Sequence, residues 1–468
     1  MEERITEELR PLSPEERIPE ISELIEMTSQ RRYSDFRCAI SALPAADIAE
    51  LFENLPREHY AAFYRLLPKE VAAEVFVEMH KELKEHIINS FTDGELSATL
   101  DELYIDDTVD IIEEMPAAVV KRILRNSRGE DRGIINRLLR YPKDSAGTIM
   151  TTEYVRFTKN MTVEAALAHL RRVAIDKETI YTCYVTDEKR HLIGIVTARE
   201  LLISPLDTCL SDIMEENAVF VNTLDDKEAV ANKFKKYGFL ALPVVDNECR
   251  LVGIVTVDDA IEVIEDEAEE DFAKMAAITP SEESYLKESV FSIWKSRIPW
   301  LLLLMISATL SSAILSRFES ALPAVLLLFV PMLMDTGGNC GSQASVTVIR
   351  AISVGEAKLS DFLKILFKEA RVGVFCGITL GAVAFLKVVA VDRWLMRNEA
   401  VTLWVALAVA ISVAITILAA KLIGAALPLG AKRIGLDPAV MASPFITTLV
   451  DALALVLYFA ISAALLPI

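Results

Sequence analysis

"PFITTLVDALALVLYF", residues 444–459, is an apolar run with one carboxylate, Asp451, near its middle. An Asp at the centre of a membrane helix costs about 2.5–3.5 kcal/mol on insertion scales. The run is therefore a spanning segment only if Asp451 faces something other than lipid. The basic side chains nearest to it within apolar sequence are Lys421 and Lys387, and both have stems long enough to snorkel to an interface. A carboxylate left without a fixed partner calls for a mobile one, so Asp451 reads as facing a cation path.

Four further apolar segments precede this one. The spans are placed at 298–316, 322–349, 370–391, 400–427 and 438–466, each near the ~20 residues a crossing helix requires. With the amino terminus inside, Arg297, Arg350, Lys358, Lys364, Lys368, Arg371, Lys432 and Arg433 fall on the cytoplasmic side with Lys287 and Lys295. The outer side holds only Arg317, Lys387, Arg393 and Arg397. That bias gives a multi-pass protein of the cell (plasma or inner) membrane, with cytosolic amino-terminal domains and an outside carboxyl terminus. Trp294, Trp300, Trp394 and Trp404 stand near the expected interfaces.

The second segment, "FVPMLMDTGGNCGSQASVTVIR" (329–350), is the least lipid-like. Asp335, Asn339 and Gln343 recur every four residues and form one polar stripe on a helix. Gly337, Gly341 and Ser345 make a neighbouring track on which another helix can sit closely. Pro331 can bend the helix just above the stripe. In the fifth segment Thr447 and Asp451 share a face, with Thr448 three residues before the acid. The two oxygen-bearing stripes are expected to face one another. Asn339 and Gln343 serve equally well as interhelical hydrogen-bonding groups, a common use of amides in bundles.

The soluble part differs sharply in charge. Residues 1–298 hold 36 Lys and Arg against 59 Asp and Glu, whereas residues 299–468 hold 12 against 9. An excess of acid this large excludes nucleic acid as a partner, because nothing replaces the counterions of a phosphate backbone. It favours divalent cations. The six cysteines are scattered with no metal-ligand spacing and read as reduced and structural. No apolar leader core is present in "MEERITEELRPLSPEERIPE".

Residues 150–265 contain an internal repeat: "YVTDEKRHLIGIVTARELL" (184–202) matches "PVVDNECRLVGIVTVDDAI" (243–261). A helix-like stretch precedes each copy, so the order strand, helix, strand, strand, helix occurs twice. The G-I-V-T core resembles that of a tandem pair of CBS domains. Such pairs in general bind ATP or another adenosine nucleotide, and the resemblance implies ribose contacts at Thr256 and Asp259. The first copy offers Thr197 but Glu200.

After the second core, Asp259, Glu262, Asp266 and Glu270 line one helical face, where like charges repel. Such a face becomes favourable when hard divalent ions bridge it to another acidic surface; a solvated acidic linker is the alternative. Residues 1–141 read as short helices joined at Leu-Pro or Met-Pro turns and stacked into a superhelix. In them "YIDDTVDII" presents Asp106 and Asp110 four residues apart.

The order of parts, with "PMLMDTGGNCGSQ" (331–343) and "DPAVMASPFITTLVDALAL" (437–455), is similar to the MgtE family of magnesium channels or transporters over essentially the whole chain. The resemblance implies a multidomain fold. Its parts are an α-helical superhelical N domain (1–141), an α/β tandem CBS pair (142–265), a connecting or plug helix (266–296) and a five-helix transmembrane domain (297–468). It also implies a homodimer with the pore on its two-fold axis, lined by the second and fifth helices, with Asp451 at the pore-carboxylate position. Regulatory Mg2+ is implied at Asp106, Asp110, Asp226, Glu228, Asp259, Glu262, Glu267 and Glu270. Asp335, Asn339, Gln343, Thr447 and Thr448 are the further candidate pore-lining residues. Two departures stand out: Gly238 in "KKYGFLALP", and the apolar "DALAL" beginning at Asp451.

The expectation is a passive Mg2+ path closed by cytosolic Mg2+, since no phosphate-binding G-x-x-x-x-G-K-[ST] run supplies an energy source. The alternatives are a CBS-regulated membrane transporter of another divalent cation or solute, and a tethered enzyme. Against the enzyme, no nucleophile–base set is visible and the five histidines lack ligand spacing.

Overall fold

The computed structural model describes residues 19–281, 285, 288–319, 323–441 and 443–466. Residues 1–18, most of the stretch read for a leader, and Lys287 lie outside them. The chain divides into two compact units, residues 1–264 and 265–468.

The first unit opens with short helices set by a strict period. Leu43, Leu55, Leu67, Met79, Phe91, Leu103, Met115 and Ser127 recur every twelve residues, and all eight are buried. Each is followed by a residue of extended backbone (Pro44, Pro56, Pro68, His80, Thr92, Tyr104, Pro116 and Arg128) from which the next helix starts. Where that residue is Pro, its ring fixes φ and keeps the preceding residue out of the helical region, so one helix ends and the next begins at a set angle. At His80, Thr92, Tyr104 and Arg128 the same geometry arises without the ring. The Leu-Pro and Met-Pro turns thus mark half of a longer array. Alternate helices pack on one another: Ala45–Glu53 on Lys69–Glu78, Asp93–Leu100 on Ala117–Asn126, and Ile105–Glu114 on Gly129–Leu138.

The repeat in 150–265 folds as two matching three-stranded sheets. Strands β1 (Tyr154–Thr158), β2 (Thr179–Thr186) and β3 (Leu192–Thr197) form one; β4 (Val221–Asn222), β5 (Ala241–Val245) and β6 (Leu251–Thr256) form the other. In each, the first pair is parallel across a helix and the second antiparallel. The intervening helices are Val163–Val173 and Lys227–Tyr237. The second ends at Gly238, whose φ of 68° is the left-handed stop that glycine adopts freely. That departure is therefore a helix C-cap.

The helix after β6, Val257–Met275, is shorter than the connecting helix expected over 266–296. It stops where Ala277 turns left-handed (φ 54°) and the amide of Ile278 closes on the carbonyl of Ala273. Pro280 just beyond cannot continue it. The next helix starts at Val290.

Five helices of the second unit are long and apolar enough to cross a membrane: Val290–Phe318, Ala324–Ser353, Leu359–Leu395, Leu403–Arg433 and Pro438–Leu465. The fourth is the centre of the bundle, packed against the second, third and fifth, whereas the first rests on the fifth. Pro331 occupies the first turn of the α-helix Val330–Ser353, so it starts that helix instead of bending it. The third span ends in a π-helical turn, Val388–Leu395, which brings Lys387 onto Asp392 at 2.9 Å. Lys387 is thus paired with an acid near the end of its span. Tyr458 is buried and donates to the carbonyl of Leu326 at 2.9 Å, fastening the fifth span to the second.

The second and fourth spans approach so closely that a Cβ on Gly424 would overlap the carbonyl oxygen of Gly341. Gly424→Ala is expected to cost about 1–3 kcal/mol through forced separation of the two helices. Gly430→Ala, in the same helix with open space around it, should leave thermal unfolding of the purified protein unchanged or slightly raised.

Candidate functional site

In the membrane unit the second and fifth spans meet along glycine. A Cβ on Gly338 would lie 3.1 Å from the Cγ2 of Thr447 and 3.6 Å from Oδ1 of Asp451. Glycine at 338 is what lets the threonine and the acid sit against the second span. Next to it runs the predicted stripe. Asp335, Asn339 and Gln343 all expose their side chains, and Asn339 donates to Asp335 Oδ1 at 3.2 Å. Asp335 is near enough to Asp451 for their charges to interact. Thr447 and Thr448 both donate their hydroxyls to the carbonyl of Pro444, at 2.9 and 3.0 Å, leaving hydroxyl lone pairs for an ion or its water.

An exposed row of carboxylate and amides within a spanning helix has no stable place against hydrocarbon. It requires water, an ion or another protein surface. Lys421 was expected to reach an interface. It is instead 5% exposed, with its ammonium 3.5 Å from Oε1 of Gln343. The packing of the fourth span among three neighbours encloses it.

The second cluster lies wholly in the first unit. Asp106 stands in the first turn of the helix Ile105–Glu114 and is 8% exposed. One oxygen each from Asp106, Glu153 and Glu178 lies within 4.8 Å of the others. Each of these acids has a buried oxygen with no hydrogen-bond partner: Oδ1 of Asp106 and Oε2 of both glutamates. Buried polar atoms are nearly always partnered, and three acids gathered within reach of one another, each with a buried oxygen that lacks a partner, suit a hard cation.

Glu153 and Glu178 were missed in the sequence because their proximity is a matter of register. Each stands one residue before its strand. The parallel pairing of Tyr154 with Thr179 sets them side by side, with the amide of Glu178 donating to the carbonyl of Glu153 at 3.0 Å.

Asp107, Asp110, Asp258, Asp259 and Glu262 extend the negative region. Burial, first, and the charge of Asp107 push Asp106 up to about 7; burial and Asp106 raise Glu153 to about 7 and Glu178 to about 8. Burial and Asp259 bring Asp107 to about 6. Asp110 keeps solvent contact, yet the protein crowded around it and then Asp106, Asp259 and Glu262 raise it to about 8. Asp259 rises to about 7 through burial, even though Thr256 donates its hydroxyl to it at 2.6 Å.

The remaining expected residues are placed differently. Asp226 caps the helix Lys227–Tyr237, accepting from the amides of Glu228 and Ala229, and Glu228 lies in that helix's first turn. Glu267 and Glu270 lie past residue 264 on the helix Val257–Met275. Glu270 is held by Lys274 at 2.6 Å, and Lys274 also reaches Asp437 at 2.6 Å. In the first repeat Thr197 and Glu200 form a reciprocal capping box. The Thr–acid pairs of both G-I-V-T cores thus bond to each other at helix starts.

Models of known families match the chain in the same order as these parts. The MgtE intracellular N domain covers 43–144, CBS domains cover 146–206 and 210–266, and a divalent cation transporter, MgtE, covers 330–461. The magnesium transporter MgtE of Thermus thermophilus is 36% identical over 425 residues, 90% of this chain and 92% of that one.

The chain belongs to the MgtE family.

The magnesium transporter MgtE of Bacillus subtilis is 31% identical over 446 residues, 95% of this chain and 97% of that one. Among solved structures, the cytosolic domain of the Mg2+ channel MgtE in complex with ATP is 37% identical. It covers 52% of this chain and all of that one, with a TM-score of 0.50. The soluble part of a magnesium transporter matches at 32% identity and a TM-score of 0.51, over 55% of this chain. MgtE membership accounts for the order of helical array, CBS pair and five spans.

The acidic cluster makes stability depend on pH in a definite direction. Its acids have higher pKa values folded than the ordinary carboxylate range near 4, so the folded state holds more protons than the unfolded. Without divalent ions, stability is therefore greatest below about pH 4 and falls as pH rises through about 6 to 8. Added Mg2+ should raise the melting temperature at pH 8 and have little effect at pH 5, where protons already occupy the site. Glu178→Gln should raise the metal-free melting temperature at pH 8 and shrink the Mg2+-dependent gain. Scanning calorimetry with EDTA or Mg2+ at the two pH values reads both effects.

Proposed function

We propose that this chain is a passive Mg2+-selective path across the membrane, closed by cytosolic Mg2+ bound at its acidic soluble unit. The observation that carries the reading is the exposed stripe Asp335–Asn339–Gln343 running beside Asp451 at the contact of the second and fifth spans. A second copy of the chain, related by a two-fold axis, supplies the facing surface such a stripe needs and doubles Asp451. Mg2+ gives up its water reluctantly and keeps octahedral geometry. Paired Asp451 carboxylates, with the oxygens of Thr447, Thr448 and Asn339, then cradle the ion together with its water and release it again. The membrane potential, about 2.3 kcal/mol per charge per 100 mV, drives the flux. The arrangement needs no chemical step, and no residue is assigned a catalytic role.

For orientation, the basic residues between the spans favour cytosolic soluble domains and an outer carboxyl terminus. Closure follows from differential affinity: ions bridging Asp106, Glu153, Glu178 and the neighbouring Asp110, Asp259 and Glu262 stabilise the arrangement in which those acids converge. The helix Val257–Met275 begins beside Asp258 and Asp259 and ends at Lys274, which holds Asp437 of the membrane unit. It is the covalent route by which occupancy reaches the spans. Asp226, Glu228, Glu267 and Glu270 complete the proposed regulatory acids. The division into an N domain to 141, a CBS pair to 265, a connecting segment to 296 and the spans beyond is proposed on the same grounds. An adenosine nucleotide at the CBS pair is proposed near Thr256 and Asp259, supported by the ATP complex of the similar cytosolic domain.

The family model's broader description, divalent cation transporter, makes another divalent cation such as Mn2+, Co2+ or Ca2+ the competing cargo, and competition assays separate the readings. In proteoliposomes, Asp451→Asn is expected to lower Mg2+ uptake at least tenfold; uptake at the wild-type rate would remove the proposed path. Asp259→Asn with Glu262→Gln is expected to leave conduction intact while raising the Mg2+ concentration needed for inhibition several-fold. An unchanged inhibition curve in patch recordings would remove the sensor assignment.

A further inference from the structure

Lys421 is the only buried basic side chain among the described residues of the membrane unit. Its ammonium is directed to Gln343, the last member of the polar stripe, and it also acts electrostatically on Cys340 of the same helix. Gly373 of the third span backs its stem, a Cβ there lying 3.5 Å from that of Lys421. No described carboxylate lies within ion-pair distance of it. A lysine buried between helices with an amide as its named partner is costly, and nothing in the packing requires it.

We propose that Lys421 is a specificity-determining residue of the ion path: a tethered cation in its wall that sets the path's resting charge to what one divalent ion neutralises. This rests on the pathway reading above. Asp335 and Asp451 against Lys421 leave one net negative charge per protomer, hence two across the proposed pair. Without the two lysines the same path carries four negative charges. It would then retain a divalent ion more tightly and fill more readily with monovalent ions when divalents are absent. A fixed positive charge repels a divalent ion twice as strongly as a monovalent one at the same distance. Lys421 therefore weakens Mg2+ retention more than K+ retention, which speeds release. Gln343 acts with it, since its Oε1 holds the ammonium beside the stripe.

The test uses the full-length protein in lipid bilayers, with K+ current in Mg2+-free solution and its block by added Mg2+ as readouts. Lys421→Met is expected to increase the Mg2+-free K+ current, lower the Mg2+ concentration for half-block at least tenfold, and reduce Mg2+ flux at saturating Mg2+. Lys421→Arg, which keeps the charge, should stay within about threefold of wild type in all three. Asp335→Asn combined with Lys421→Met restores the net charge and should return half-block toward wild type. Should Lys421→Met fail to fold, Lys421→Gln, which is neutral but keeps a polar group toward Gln343, takes its place in both the single and the double variant. Wild-type half-block in Lys421→Met, or in the double variant a half-block still shifted tenfold, overturns the proposal and leaves Lys421 a packing residue. If wild-type protein passes no Mg2+, the pathway reading itself fails, and that result is distinct from either.

Discussion

Carboxylates taken out of water and set close together demand positive charge. Three such oxygens, from Asp106, Glu153 and Glu178, converge within 4.8 Å inside the first unit, and Asp335 and Asp451 of the membrane unit are near enough for their charges to interact. A protonated or cation-bound state is the only stable resolution of the first cluster, because burial and mutual repulsion both oppose full ionisation. In the second, Asp335 shares its helix with Gln343, on whose Oε1 a buried lysine rests. One requirement thus applies in both units of the chain.

The elements that enforce this convergence are unremarkable individually. A parallel strand register places two glutamates side by side; a helix start delivers an aspartate to them. In the membrane, glycines at 338, 341 and 424 remove the bulk that would hold three helices apart. The packing achieved there puts Asp451 and Thr447 against the stripe and encloses Lys421 in the same step. The enclosure is why that lysine cannot escape to an interface as an isolated helix would allow.

Much of the architecture was legible in the sequence. Five apolar runs, a twofold G-I-V-T repeat and an i, i+4 polar stripe each have a period that maps directly to a fold element, and the spans, sheets and exposed stripe follow it. Interactions depending on tertiary register were not legible. Glu153 and Glu178 carry no local pattern; Lys421 looks like any snorkelling lysine until its neighbours are placed; Asp226 and Gly238 have capping duties that depend on where a helix begins and ends. The connecting helix is expected to reach residue 296, but the helical run ends at Met275 because the chain turns at Ala277 ahead of Pro280.

The twelve-residue step of the amino-terminal array has a consequence for its history. Each buried residue and the extended residue after it form a local joint, but alternate helices are the ones that pack together, so steps can be gained or lost in pairs without changing which row the later helices join. Length variation among proteins sharing this domain would then come in multiples of twenty-four. Insertions of other sizes would rotate every later helix out of its seat.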